Sequence, residues 1–239
     1  MSVKHWIYTL ACAFAAAASQ ANANLIITGV FDGPLDGGEP KVVELYAQTA
    51  IANLGLYSAG SANNGGGTDG PENPLSGSAG AGQFIYIVDD NSDSATGVEF
   101  AQYFGFTPSL LFDSNLGLNG GAAAINGDDA VELFFDPTGT FSGGQTVVDT
   151  FGNIAQSGTG QPWEYLDGWA YRKSGTGPDG ATFVIANWTF SGINATDGQT
   201  TNGAGPSVFP IGTYLVPEPA TLTLAALGMF SVAILRRRD

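Results

Sequence analysis

The chain has 239 residues, 44% hydrophobic and only 12% charged, with 35 glycines and 12 prolines, which suits one sizeable core built from strands and turns. Residues 24–216 hold three basic side chains, Lys41, Arg172 and Lys173, against twenty acidic ones, a net charge of −17 that repels nucleic acid and acidic polysaccharide at long range. The one cysteine, Cys12, and the one histidine, His5, lie in the first 23 residues, so the remainder has no side chains for disulfides, Cys/His zinc sites, or Ser-His or Cys-His catalysis.

Lys4 precedes an apolar run over residues 6–18, and Ala21-Asn22-Ala23 follows it. Small residues at Ala21 and Ala23 occupy the positions that a signal peptidase reads, so residues 1–23 are expected to be a secretion signal, with Asn24 as the new N-terminus. A lipoprotein acylated at Cys12 is the rival reading. Thr9-Leu10-Ala11 fits it poorly, and the apolar run continues past the cysteine.

From Asn24 to Leu215 a single domain is expected. Short β-branched or aromatic runs at 25–28, 42–47, 84–88, 130–135, 146–151 and 170–172 are of strand length and are separated by Gly, Asn, Asp or Pro. Several such strands predict an all-β sandwich. Residues 58–82 are rich in Gly, Ser, Asn and Pro and are expected to form a long exposed loop. Residues 98–106 place Phe100, Tyr103 and Phe104 at helical spacing, which predicts one short helix over a sheet edge.

Asp89, Asp90, Asn91 and Asp93 gather oxygen ligands of the kind calcium takes, which makes Asp89, Asn91 and Asp93 calcium candidates. The spacing fails the EF-hand test, with Ser94 where Gly is required and Phe100 where the bidentate Glu belongs, and a solvated turn is the simpler reading. Asp128, Asp129 and Glu132 form a second acidic group, for which a solvated turn is again the simpler reading, and Asn126-Gly127 before them suits a turn with positive φ that leads into a returning strand over 130–135. Trp163, Tyr165, Trp169 and Tyr171 alternate at period two. On one strand face they would form an aromatic ladder, either core or a platform for stacking sugars. Arg172 beside them is expected to pair with Glu164 or Asp167. No carboxylate pair stands out as a hydrolytic one, and Asn187-Trp188-Thr189 and Asn194-Ala195-Thr196 are taken as chance matches to a glycosylation pattern.

The segments Ile26-Ile27-Thr28-Gly29-Val30, Val43-Glu44-Leu45-Tyr46, 126–133 and Val148-Asp149-Thr150-Phe151-Gly152, with Trp163-Glu164-Tyr165, 167–172 and Asn187-Trp188 in that order, resemble the lamin-tail domain family. The resemblance implies an immunoglobulin-like β-sandwich of the lamin-tail type. The Gly-rich stretch and the helix around Tyr103 depart from the simplest pattern.

Val216-Pro217-Glu218-Pro219 leads into an apolar run from Ala220 to Leu235 and then Arg236-Arg237-Arg238. Sixteen residues as a helix span about 24 Å, somewhat short of a hydrocarbon core of roughly 30 Å, so residues 220–235 are expected to cross the membrane with help from flanking residues or local thinning. The arginines keep that end cytoplasmic and leave the domain outside. In this order the elements at 216–239 resemble a PEP-CTERM sorting signal; an ordinary single-pass anchor is the alternative. The resemblance implies cleavage by an exosortase near Pro217 to Pro219, after transient residence in the inner membrane, and release or attachment at the surface of a cell that makes exopolysaccharide. The expectation is therefore a non-catalytic, exported, structural or adhesive protein without a cofactor. A carbohydrate-binding module and a secreted hydrolase are the alternatives.

Overall fold

The computed structural model describes residues 24–90, 97–114 and 121–216. The signal positions Ala21 and Ala23, the calcium candidates Asn91 and Asp93, the sorting residues Pro217, Glu218, Pro219, Arg236, Arg237 and Arg238, and the run 220–235 lie outside the described residues.

Among the described residues ten strands and one α-helix follow in the order β1 Leu25–Phe31, β2 Lys41–Ala47, β3 Tyr57–Ala62, β4 Asn73–Pro74, β5 Phe84–Asp89, α1 Val98–Phe104, β6 Leu111–Asp113, β7 Ala130–Phe135, β8 Thr146–Phe151, β9 Trp169–Arg172 and β10 Trp188–Phe190. They form two sheets, ordered β10-β9-β1-β2-β5-β6 and β4-β3-β7-β8. All pairings are antiparallel except β5 with β6. Every strand expected from the sequence is present, together with the helix.

The sheets face each other across one core. Leu25, Ile27, Val43, Leu45, Ile85 and Ile87 of the large sheet meet Tyr57, Ala59, Val131, Leu133 and Phe151 of the small one. A second apolar layer covers the other face of the large sheet, where Ile26, Phe31, Val42, Tyr86 and Tyr171 pack against Phe100 and Tyr103 of α1 and against Phe209 and Tyr214 near the C-terminal end of the domain. The helix therefore lies on a sheet face rather than over an edge. β1 and β2 are buried at every position because both of their faces are covered, which is why each reads as a nearly continuous apolar run rather than a strict alternation.

A bulge in β1 makes this two-sided packing possible. Ile27 pairs with Leu45 but Gly29 pairs with Glu44, which leaves Thr28 unpaired and resets the alternation. Ile27 and Val30 consequently both face the inner core, whereas Phe31 faces the outer layer. Gly29 has no side chain because a Cβ there would lie 2.7 Å from Phe209 and 2.9 Å from Tyr171.

The expected long exposed loop over 58–82 is not one. β3 is buried along its whole length and pairs with β7 through Tyr57–Phe135 to Ala62–Ala130. Glu72, Asn73, Leu75 and Ala79 farther along are buried too. The small residues that suggest flexibility are there because backbone packs on backbone: a Cβ at Gly60 would lie 2.0 Å from the carbonyl oxygen of Gly70. Around Gly70 the stretch crosses the outer face of its own sheet, and it then returns as the edge strand β4 and places Leu75 and Ala79 in the inner core.

Candidate functional site

The four aromatics of the expected ladder are divided between two cores. Tight turns occupy the chain before β9, with Gln161 N–H bonded to Gly158 O, Glu164 N–H to Gln161 O, and Asp167 at φ 44°. The period-two register does not survive them. Trp163 and Tyr165 enter the inner core, where both rings meet Phe151 edge-on at 6.1 and 5.3 Å, and the Tyr165 hydroxyl donates to Asp129 O. Trp169 and Tyr171 lie on β9 and face the outer layer. No ligand platform of four rings exists.

Trp169 alone of the four keeps part of its ring exposed. Its indole N–H donates to Ser207 Oγ at 3.0 Å. Beside it an open groove of about 690 Å³ is lined by Trp169, Phe190, Ser191, Asn194, Ser207 and Val208. An aromatic floor with amide and hydroxyl groups around it has the chemistry that a neutral sugar face takes.

Arg172 pairs with neither Glu164 nor Asp167. β9 brings its guanidinium inward between the sheets, where it bonds both oxygens of Asp149 on β8 at 2.8 and 2.7 Å, Asp179 Oδ2 at 2.8 Å and Ile27 O at 2.6 Å. Trp188 lies beneath it, 4.5 Å from the ring centre. Asp149 in turn accepts from Ile27 N–H and Asp179 N–H. This ion pair takes up the Ile27 backbone groups where β9 no longer runs beside β1, and it ties the two sheets together.

On the other face Glu44 is buried completely in β2. Oε1 accepts from Thr28 Oγ1 at 2.7 Å and Tyr171 OH at 2.8 Å, and Oε2 accepts from Gly212 N–H at 2.7 Å. Tyr86 adds a further hydrogen bond. The Tyr171 oxygen, having donated to Glu44, accepts from Thr213 N–H and Tyr214 N–H at 3.0 and 2.9 Å. Burial pushes the Glu44 carboxyl up to about 7 against the opposing pull of its donors. Residues 209–214 are thereby strapped across the large sheet, and Leu215 is held by Ser174 Oγ and Gly175 N–H. The signal for this latch in the sequence was a lone carboxylate in the apolar run Val42-Val43-Glu44-Leu45-Tyr46.

The acidic group at 128–132 serves the fold. Asp129 accepts from Asn64 N–H and Asn126 N–H, and Asp128 from Ser157 and Thr159 hydroxyls. Gly127 has φ 76°, as expected of the turn, and a Cβ there would lie 2.2 Å from Leu166 Cα. Asp89 ends β5 opposite Lys41. Among the described residues no group of three or more His, Cys, Asp or Glu is placed to hold a metal ion, and no helix is long and apolar enough to cross a membrane.

No curated protein and no solved structure matches the chain. The family model of the PEP-CTERM protein-sorting motif matches residues 215–238, so the motif begins on the residue where the strap ends. That motif implies export, anchoring of the C-terminus in the membrane and processing by an exosortase.

Proposed function

We propose that the chain is a non-catalytic surface protein whose sandwich, of the immunoglobulin-like lamin-tail type, serves as a structural or adhesive unit of an exopolysaccharide matrix after an exosortase has removed its tail. The observation that carries this reading is the junction at Leu215, where a sorting motif follows directly on a folded domain whose buried charges Arg172, Asp149 and Glu44 are spent on internal bonds. Proline lacks an N–H and disfavours helix at the residue before it, so the sequence Pro217-Glu218-Pro219 suits a peptide that a processing enzyme has to reach. Mass spectrometry of the surface protein should find a chain that starts at Asn24 and lacks Arg236, Arg237 and Arg238. Replacing Pro217, Glu218 and Pro219 together by alanine should leave a full-length, membrane-bound form. A surface protein that retains the arginines reduces the tail to a plain anchor.

A second reading, that the domain binds neutral glycan, is favoured by the groove beside Trp169. Trp163 and Trp188 are 4% and 2% exposed, so among the described tryptophans Trp169 is the one a ligand reaches. Glycan titration should change tryptophan emission, and Trp169→Ala should abolish the change. Emission that ignores every neutral glycan tried would retire this reading.

A further inference from the structure

The hairpin joining β9 to β10 differs in charge from the rest of the domain. Its residues 173–187 contain one carboxylate, Asp179, whose side chain is 7% exposed and bonded to Arg172 and Asn187. They also contain Lys173, the one exposed basic residue among the described residues, since Lys41 is 8% and Arg172 1% exposed. In a domain of net charge −17 the outer end of this hairpin is therefore free of exposed negative charge.

It is also apolar. Val184 and Ile185 are 38% and 40% exposed at a turn whose next carbonyl, Ala186 O, accepts from Lys173 Nζ at 2.8 Å. Leu215 and Val216 are 67% and 41% exposed and belong to the same end, because Leu215 N–H donates to Ser174 Oγ at 3.1 Å, Gly175 N–H donates to Leu215 O at 3.0 Å and Tyr214 OH donates to Thr176 O at 2.8 Å. Four exposed aliphatic side chains and one lysine thus sit where the chain leaves the domain.

The apolar run of the sorting motif begins at Ala220, four residues beyond Val216. Four extended residues span at most about 14 Å, whereas a headgroup layer is roughly 5–7 Å thick on each side of the hydrocarbon. With Ala220 at the hydrocarbon boundary, Val216 lies in the headgroup layer or less than about 10 Å above it. Aliphatic side chains with a lysine beside them suit that boundary, where the lysine stem lies along apolar surface and its ammonium reaches phosphate. We infer that Val184, Ile185, Leu215 and Val216, with Lys173, form a tip that rests on the phospholipid surface of the membrane holding the tail, and so fix the orientation of the domain before processing.

The inference rests on the reading of the tail as a membrane anchor, and the test separates the two. The chain from Asn24 to Asp239, which contains no cysteine, is purified from an exosortase-free host and reconstituted in phosphatidylethanolamine and phosphatidylglycerol vesicles. A nitrobenzoxadiazole probe is attached at Ile185→Cys or, as control, at Ile193→Cys, which is 55% exposed beyond the far end of β10. Both sites lie outside the core, and an unchanged melting temperature verifies the fold. The probe at 185 should emit farther to the blue, resist iodide and be quenched by spin-labelled lipid, while the probe at 193 should behave as in water. Co-flotation with the vesicles while the two probes respond alike to iodide overturns the tip and leaves the anchor standing. Failure to float with the vesicles overturns both.

Discussion

Glu44 is held by donors of two kinds, and the difference governs what its removal does. Gly212 N–H can only donate, and Tyr171 must donate because its oxygen already accepts from Thr213 and Tyr214 N–H, whereas the Thr28 hydroxyl can turn and accept. A protonated Glu44 therefore keeps its partners, but an alanine leaves Gly212 N–H and the Tyr171 hydroxyl without theirs in an apolar layer. A buried donor left without an acceptor costs about 1–3 kcal/mol, so Glu44→Ala, which strands two, should cost at least about 2 kcal/mol, concentrated in the strap. Hydrogen exchange should show amides 212–214 losing protection while β7 and β8 keep theirs. Uniform loss across both sheets would mean that Glu44 supports the whole fold rather than the latch. Arg172 makes the contrast: its bonds to Asp149 and Ile27 O join the two sheets, so truncating it strands a carboxylate in the inner core.

Strands were legible in the sequence where burial demanded bulk, and illegible where it demanded space. β1, β2, β5, β7 and β8 carry Val, Ile, Leu and Phe because they fill the gaps between layers. β3, Tyr-Ser-Ala-Gly-Ser-Ala, carries small residues because Gly70 passes directly over it, and composition alone cannot separate that from a linker. The helix was legible because Phe100 and Tyr103, at i and i+3, both face the outer layer. The aromatic quartet misled because alternation implies one face only while the strand is unbroken, and the turns at 161–167 break it. The Glu44 latch left a trace, a charge inside an apolar strand, but its partners Gly212 and Tyr171 lie 168 and 127 residues away and come together only through the bulge and the strap. The sorting motif was the most legible feature because hydropathy, prolines and arginines act there in sequence order.

The whole molecule carries its acidity in two ways: exposed carboxylates repel one another, and buried ones are held away from water. Burial pushes the carboxyls of Glu44 and Glu39 up to about 7, with Asp89 and Glu99 adding to the rise at Glu39. Burial raises Glu72 and Glu132 as well, and each has one buried carboxyl oxygen without a hydrogen-bond partner. An acid whose pKa is higher in the folded than in the unfolded chain takes up protons on folding. The stability it contributes is fully present below its unfolded value of roughly 4.3 and is lost as pH rises through about 7. Protonation also lessens the repulsion within a domain of net charge −17, in the same direction. The domain should therefore melt at a higher temperature at pH 5 than at pH 8, opposite to a protein held together by ionised carboxylates. Glu44 alone is worth about 2–3 kcal/mol, or roughly 5–10 °C in a domain of this size. Sodium chloride screens the exposed charges and not the buried ones, so it should raise the melting temperature at pH 8 more than at pH 5 and leave part of the difference in place. A melting temperature that falls between pH 8 and pH 5 would show that the buried carboxyls are ionised in the fold, with their hydrogen-bond donors outweighing desolvation.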